Sequence, residues 1–320
     1  VLPLRMRALD ALACCDWFVF DKTGTLTAGQ PVIAAVLAVA ELDEDSCLHH
    51  AAALAAGSAH PLSYALRQRV PQPRLAISEV KNVPGAGIQA TIEGVEWRLG
   101  KPDFALQGMS CDEHIRTLIA DARSAGQLVS VLASDAAVQA VLSFEDPLRP
   151  GVETLLDGLR DSGVRHFTLL SGDAPDSVQR LGRQLGIDDA YGGCSPADKL
   201  AGTQARQAQG HQLAMFGDGI NDAPTLAAAD VSISFADATD LANSSSDFLI
   251  LGNDASVIVD SRHLARRTRR NIQQNFAWAG AYNLIAVPFA AAGWIPPWGA
   301  AIGMSFSSLN VVMNALRLQK

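Results

Sequence analysis

Cysteine is scarce and unpatterned in this 320-residue chain. There are five, Cys14, Cys15, Cys47, Cys111 and Cys194, an odd number with no Cys-x-x-Cys spacing. That argues against a disulfide framework or a zinc site and points to a reducing compartment. Basic charge is in deficit: 25 Lys and Arg stand against 33 Asp and Glu, a net charge of −8 with a pI near 5.3. General nucleic-acid binding is disfavoured on that ground. The opening "VLPLRMRALDALACCDW" has no signal-peptide order and starts at Val1, so the expectation is the C-terminal part of a longer protein. The longest absence is of charge itself. From Asn271 to Leu316 there is no Asp, Glu, Lys or Arg.

Two apolar stretches fill that uncharged run, Phe276 to Trp294 and Trp298 to Leu316. Each is close to the ~20 residues that cross a bilayer. "IPP" between them makes a tight turn, with Trp294 and Trp298 as interfacial anchors. The run "RHLARRTRR" (Arg262 to Arg270) precedes them, and Arg317 and Lys320 follow. Basic residues favour the cytoplasmic side, so both ends are cytoplasmic and 276–320 predicts two transmembrane helices, entered through a linker helix at 253–275. The arginine run then reads as a membrane-surface face in contact with lipid. A buried helical pair in a soluble protein is the alternative.

Ahead of the hairpin, "WFVF" (Trp17 to Phe20), "HFTLL" (His166 to Leu170), "LAMF" (Leu213 to Phe216) and "VSISF" (Val231 to Phe235) read as buried strands of a parallel sheet. Three of them run into Asp21, Asp173 and Asp218. Ligands of open α/β sheets sit beyond the carboxyl ends of strands, so these ends predict one site. The expected organisation is a split α/β domain, 16–27 and 142–252, carrying an inserted α+β domain at 28–141. Residues 1–15 are expected as the end of a preceding membrane helix or a linker. "EDPLRP" (Glu145 to Pro150) returns the chain through a stiff hinge.

The strand ends carry chemistry. Asp21, in "VFDKTGTLT", is a carboxylate able to attack phosphorus and form an acyl phosphate. Mg²⁺ would relieve the repulsion between two anions, and Asp218 and Asp222 of "GDGINDAP" are the hard oxygen donors it prefers. Lys199, in "SPADKL", can neutralise phosphate oxygens, and Ser171, Gly172 and Asp173 form a turn able to hold the same group. Hydrolases of this pattern have a second aspartate two places after the nucleophile, as general acid and base. Here that place holds Thr23, which cannot serve as a base. Such a site forms the phosphoenzyme and keeps it, as suits a machine that changes shape while phosphorylated.

In that order, "DKTGTLT", "SGD", Lys199 and "GDGINDAP" resemble a P-type ATPase with a haloacid-dehalogenase-like (Rossmann-like) phosphorylation domain, over essentially the whole chain. The resemblance implies that Asp21 is phosphorylated from ATP and that Thr23 and Lys199 contact the phosphoryl group. It also implies that Asp218 binds Mg²⁺, supported by Asn221 and Asp222, while "SGD" closes over the phosphate. "SAHPLS", with His60 and Pro61, resembles the adenine-contacting motif of heavy-metal members, and "VPGAGI", with Gly85 and Gly87, their nucleotide-binding glycines. Two positions depart from the pattern: Ala59 stands where Glu is usual, and Lys101 follows Gly100 where Asn is frequent.

Polar groups inside spans are costly and mark function. The first span carries Tyr282 and Asn283, the second Met304 and Ser308 in "MSFSS". A thioether suits Cu(I), and no acidic residue in either span argues against Zn²⁺ or Ca²⁺. Tyr-Asn followed by Met-x-Ser-Ser resembles the copper(I) branch, and both chain ends resemble the members serving cytochrome oxidase assembly. By resemblance the Cys-Pro-Cys span and actuator domain belong before Val1, a copper chaperone is a partner, and the location is a bacterial inner membrane with cytoplasmic catalytic domains. A pump for K⁺ or a divalent metal, and a membrane-anchored phosphatase, remain alternatives. Helix-interface packing is the bland reading of the Gly, Ser and Met positions. Cys14 and Cys15, and Cys47 with His49 and His50, read as packing and helix surface.

Overall fold

The computed structural model describes residues 1–73, 75–218, 222–238 and 246–319. Asn221 lies outside them. The described residues form two sheets. One has the strand order β1 (Leu2–Pro3), β13 (Phe248–Ile250), β12 (Val231–Phe235), β11 (Leu213–Phe216), β2 (Trp17–Asp21), β9 (His166–Leu170), β10 (Asp189–Tyr191). The order reverses direction at β2, and such a switch point is where an open α/β sheet leaves a crevice at its carboxyl ends. Asp21 is the last residue of that strand. The other sheet has the order β3 (Val32–Ala38), β8 (Val138–Glu145), β7 (Leu128–Ser134), β6 (Val95–Gly100), β5 (Gly87–Ile92), β4 (Ile77–Val83).

The chain forms two compact units. One comprises Val1–Val19, Pro150–Phe167 and Pro196–Lys320. Its strands β11 and β12 are buried along their whole length, and β12 pairs in parallel with both β11 and β13. A continuous apolar run is what a strand covered on both faces requires. Residues 1–15, expected as the end of a membrane helix or a linker, make the short antiparallel β1 beside β13 and the helix Met6–Cys14. Cys15 is fully buried just after that helix. The helix Val257–Ala291 runs for 35 residues, straight through the position where a linker helix was expected to give way to a first span. The segment has no glycine or proline until Gly280, so nothing in it stops a helix.

After a turn this helix is followed by Pro297–Leu316, and the two form an antiparallel pair. Asn271 donates to the Asn314 carbonyl at 2.6 Å, Asn314 donates to Asn275 at 2.9 Å, and the Trp278 indole donates to Ser307 at 3.2 Å. Gly303 leaves room for the Tyr282 ring, whose hydroxyl would lie 2.6 Å from a Cβ there. Among the described residues one helix segment, Trp298–Leu316, is long and apolar enough to cross a membrane by length and composition. The first apolar stretch falls short because the helix that carries it ends at Ala291, before Trp294.

The other unit comprises Phe20–Arg149 and Thr168–Ser195. Its six-stranded sheet is antiparallel throughout; burial alternates along β5, while β7 and β8 are buried along most of their length. The helices Glu44–Ala55 and Pro61–Arg69 cover one face around Leu54, Leu66, Ile92, Trp97 and Phe144. A second cluster with Ile115, Ile119 and Val131 packs under the helix Glu113–Ser124. Cys47 sits in the first core, as its helical pattern suggested.

Candidate active site

The turn after β2 is built around Asp21, 5% exposed at the strand end. Gly24 takes φ +73°, a left-handed conformation that costs a glycine little, and lets the chain swing round so that the Thr27 amide donates to the Lys22 carbonyl at 3.0 Å. Two side chains with no assigned role at the sequence level lock this turn. Arg149, 5% exposed, donates from Nη2 and Nε to the Gly24 carbonyl at 2.8 and 3.2 Å. The Thr27 hydroxyl donates to Asp146 at 2.6 Å. Both partners come from "EDPLRP", which read only as a hinge. An acid just before Pro147 and an arginine just before Pro150 were the available signal. Thr23 is exposed on the turn, two places after Asp21.

Ser171, Gly172 and Asp173 form the turn after β9. Ser171 is buried, and its hydroxyl accepts from the Asp173 amide at 3.2 Å. The segment is braced by the Gly193 amide on the Asp173 carbonyl at 2.7 Å and the Cys194 amide on the Ser171 carbonyl at 2.9 Å. Lys22 makes an ion pair with Asp173. Lys22, inside the motif but given no function from sequence, thus joins the two turns.

Lys199 lies on the helix Pro196–Ala208 and is 6% exposed. Its ammonium pairs with the Asp222 carboxylate at 2.8 Å, and Asp222 is 2% exposed. A lone ion in either position would be costly to desolvate, so each depends on the other. Gly217 permits the close approach, since a Cβ there would stand 3.0 Å from the Asp222 Cβ. In the same unit one carboxylate oxygen of Asp218 falls within 4.8 Å of one of Asp222. Hard oxygens of this kind suit a small divalent cation such as Mg²⁺.

The predicted nucleotide residues have a different character. His60 is the exposed N-cap of Pro61–Arg69, with Nδ1 accepting from the Leu62 amide at 3.2 Å, and Pro61 fills the first helical position. Gly85 turns the β4–β5 hairpin at φ +72°, and open space surrounds it. Gly87 is opposite Gly100 across β5 and β6. A Cβ on Gly87 would meet the Phe104 ring at 2.6 Å and the Gly100 Cα at 2.8 Å. The Lys101 amide donates to the Ala86 carbonyl at 2.8 Å, so this departure from the family pattern keeps a backbone contact. Of the four predicted cargo residues, Tyr282 is half-buried against Gly303, while Asn283, Met304 and Ser308 are exposed.

Comparison with known proteins follows the same lines. The chain is 34% identical over 314 residues to a copper-exporting P-type ATPase of Mycobacterium tuberculosis, covering 98% of this chain and 41% of that protein. It is 36% identical to a silver-exporting P-type ATPase of Salmonella typhimurium, covering all of this chain and 40% of that protein. A crystal structure of a zinc-transporting PIB-type ATPase superposes with a TM-score of 0.88 at 30% identity, covering 98% of this chain and 51% of that one. The chain therefore spans about two-fifths of the length of the curated relatives it matches. The family description of haloacid dehalogenase-like hydrolases matches residues 15–230, taking in the Asp21 turn, Lys199 and Asp222, and the chain belongs to that family.

Proposed function

We propose that this chain is the catalytic portion of a heavy-metal P-type ATPase that exports Cu(I) through an aspartyl phosphate on Asp21. The observation that carries the reading is the Asp21 turn: a buried nucleophile at a strand end with Thr23, not a carboxylate, two places on. ATP would bind near His60, Pro61, Gly85 and Gly87. An Asp21 oxygen attacks the γ-phosphorus, the bond to the bridging oxygen breaks, and ADP leaves with that oxygen. Lys199 and the Ser171–Asp173 turn hold the transferred group, and the Thr23 hydroxyl contacts it. Mg²⁺, held by Asp21, Asp218 and Asp222, supplies charge neutralisation when bound. With no base at position 23, water is not activated from this turn and the phosphoenzyme persists. Tyr282, Asn283, Met304 and Ser308 form this chain's share of the cargo path, and the soft Met304 sulfur favours Cu(I). A copper chaperone is the proposed donor, and a bacterial inner membrane the proposed location, crossed more than once.

A second cargo reading has one observation behind it, the likeness to a zinc-transporting ATPase structure. The separating experiment measures acid-stable phosphoenzyme from labelled ATP in the full-length protein, with Cu(I) under reductant, with Zn²⁺ and with a Cu(I) chelator. Phosphorylation that requires Cu(I), disappears in Asp21→Asn and weakens in Met304→Ala is expected. Phosphorylation driven by Zn²⁺ alone would replace the cargo and keep the enzyme. Rapid release of phosphate from a generic phosphomonoester with no phosphoenzyme would instead favour a membrane-anchored phosphatase.

A further inference from the structure

We propose that the basic groove between the helices Met6–Cys14 and Val257–Ala291 binds the phosphate headgroup of an anionic lipid. The groove has a volume of about 630 Å³ and is lined by His263, Arg266, Arg267, Arg269, Arg270 and Gln273, with Ala13 on the facing helix. Five arginines fall within the ten residues from Ser261 to Arg270 with no acid among them, in a chain whose net charge is −8. The local sign therefore opposes the background and suits an anionic partner.

The groove is held in shape. Arg262, 4% exposed, donates from Nη1 to the Leu12 carbonyl at 2.6 Å and from Nε to the Ser162 hydroxyl at 2.9 Å. Arg266 donates to the Ser162 carbonyl. Arg267 donates to the Arg317 carbonyl at 3.3 Å, and Arg269 stands 3.6 Å from Asp10. Among the described residues no carboxylate pairs with Arg266, Arg267 or Arg270, and all three are exposed. Exposed guanidinium forks, those of Arg266 and Arg267 tethered to backbone carbonyls, suit a phosphate oxygen by charge and by geometry.

Position selects the lipid over other anions. Phe276, the start of the first apolar stretch, lies six positions after Arg270, which is about 9 Å along a helix. A headgroup layer adds roughly 5–7 Å beyond the hydrocarbon on each side, so Gln273 stands within that layer and Arg269 and Arg270 just above it, within side-chain reach of lipid phosphates. Basic clusters immediately cytoplasmic of a span are attracted to anionic lipid by about fivefold in affinity per residue. This inference rests on the reading of 276–316 as membrane-spanning.

The test reconstitutes the full-length protein into nanodiscs of phosphatidylcholine, alone or mixed with phosphatidylglycerol, and quantifies retained lipid by native mass spectrometry. Preferential retention of phosphatidylglycerol is expected. It should fall about fivefold in Arg270→Gln, fall further in Arg266→Gln/Arg270→Gln, survive in Arg270→Lys, and stay unchanged in the control Arg123→Gln. Retention of both lipids in the bulk ratio, or displacement by inorganic phosphate or a soluble acidic peptide at equal charge, overturns the proposal. Resistance to carbonate extraction is scored in parallel. A protein that resists extraction without preferring anionic lipid sinks this proposal alone, whereas one that is extracted sinks the membrane reading and this proposal with it.

Discussion

The residues around the Asp21 turn and those of the inserted sheet differ in how they are held. Asp21, Lys199 and Asp222 are each under a tenth exposed, and the turn carbonyl is gripped twice by Arg149. His60, Pro61 and Gly85 are exposed, and what surrounds Gly85 is open space. A group that must meet phosphorus in line gains from being fixed, and its charges act more strongly where water is excluded. A group that takes up and releases a nucleotide gains from access. The first region is therefore sensitive to any change of charge, the second to changes of shape.

The comparison breaks most completely at Asp21 and Thr23. Asp21→Asn should reduce acid-stable phosphoenzyme to background. Thr23→Asp should restore a general base and shorten the phosphoenzyme lifetime by about 10²–10⁴-fold, measured by chase with unlabelled ATP. An unchanged lifetime would remove the argument from Thr23. Next comes the buried pair: Lys199→Met strands the Asp222 carboxylate and should cost about 3–5 kcal/mol in urea unfolding, well beyond the exposed control Lys101→Met. In the inserted sheet, Gly100→Ala forces a Cβ to within 2.5 Å of the Gly87 Cα, where only backbone could give way. A loss of about 1–3 kcal/mol is expected, with weaker binding of a non-hydrolysable ATP analogue. His60→Ala should weaken the same binding while costing only about 1 kcal/mol through the lost helix cap.

The smallest effect concerns thiols. Burial pushes Cys15 up to about 12 and Cys47 up to about 11, from 9.0. Each folded thiol keeps a proton that the unfolded chain releases above pH 9. Their stabilising contribution is therefore whole below pH 9 and is lost as pH rises through 11 and 12. At neutral pH a thiol reagent should modify Cys14, Cys111 and Cys194 and spare Cys15 and Cys47 until the protein unfolds, as read by mass spectrometry.

Much of the parallel sheet was legible. "HFTLL", "LAMF" and "VSISF" form strands with the expected limits, and "WFVF" extends one residue to Asp21. Short apolar runs that stop at an acid announce themselves locally. Arg149 did not, because its partner carbonyl lies 125 residues away and nothing near either residue marks the pairing. Gly100 was noticed only as part of a family pattern, while its cause is the cross-strand approach to Gly87. The boundary expected near 275 was drawn from a change of composition, but a helix continues wherever its backbone bonds are unbroken, whatever its surface meets.

By itself the sequence determined what chemistry was available: a carboxylate nucleophile, a threonine where a base would stand, oxygen donors for a hard cation, and an uncharged stretch able to meet lipid. These are properties of side-chain identity and local order, and they need no fold to be stated. Tertiary structure alone decided which groups are buried, which carbonyl the buried arginine holds, which lysine neutralises which aspartate, and how closely two glycine backbones approach. Those outcomes depend on the loss of water and on contacts between residues far apart in the chain, and neither is written in any short stretch of it.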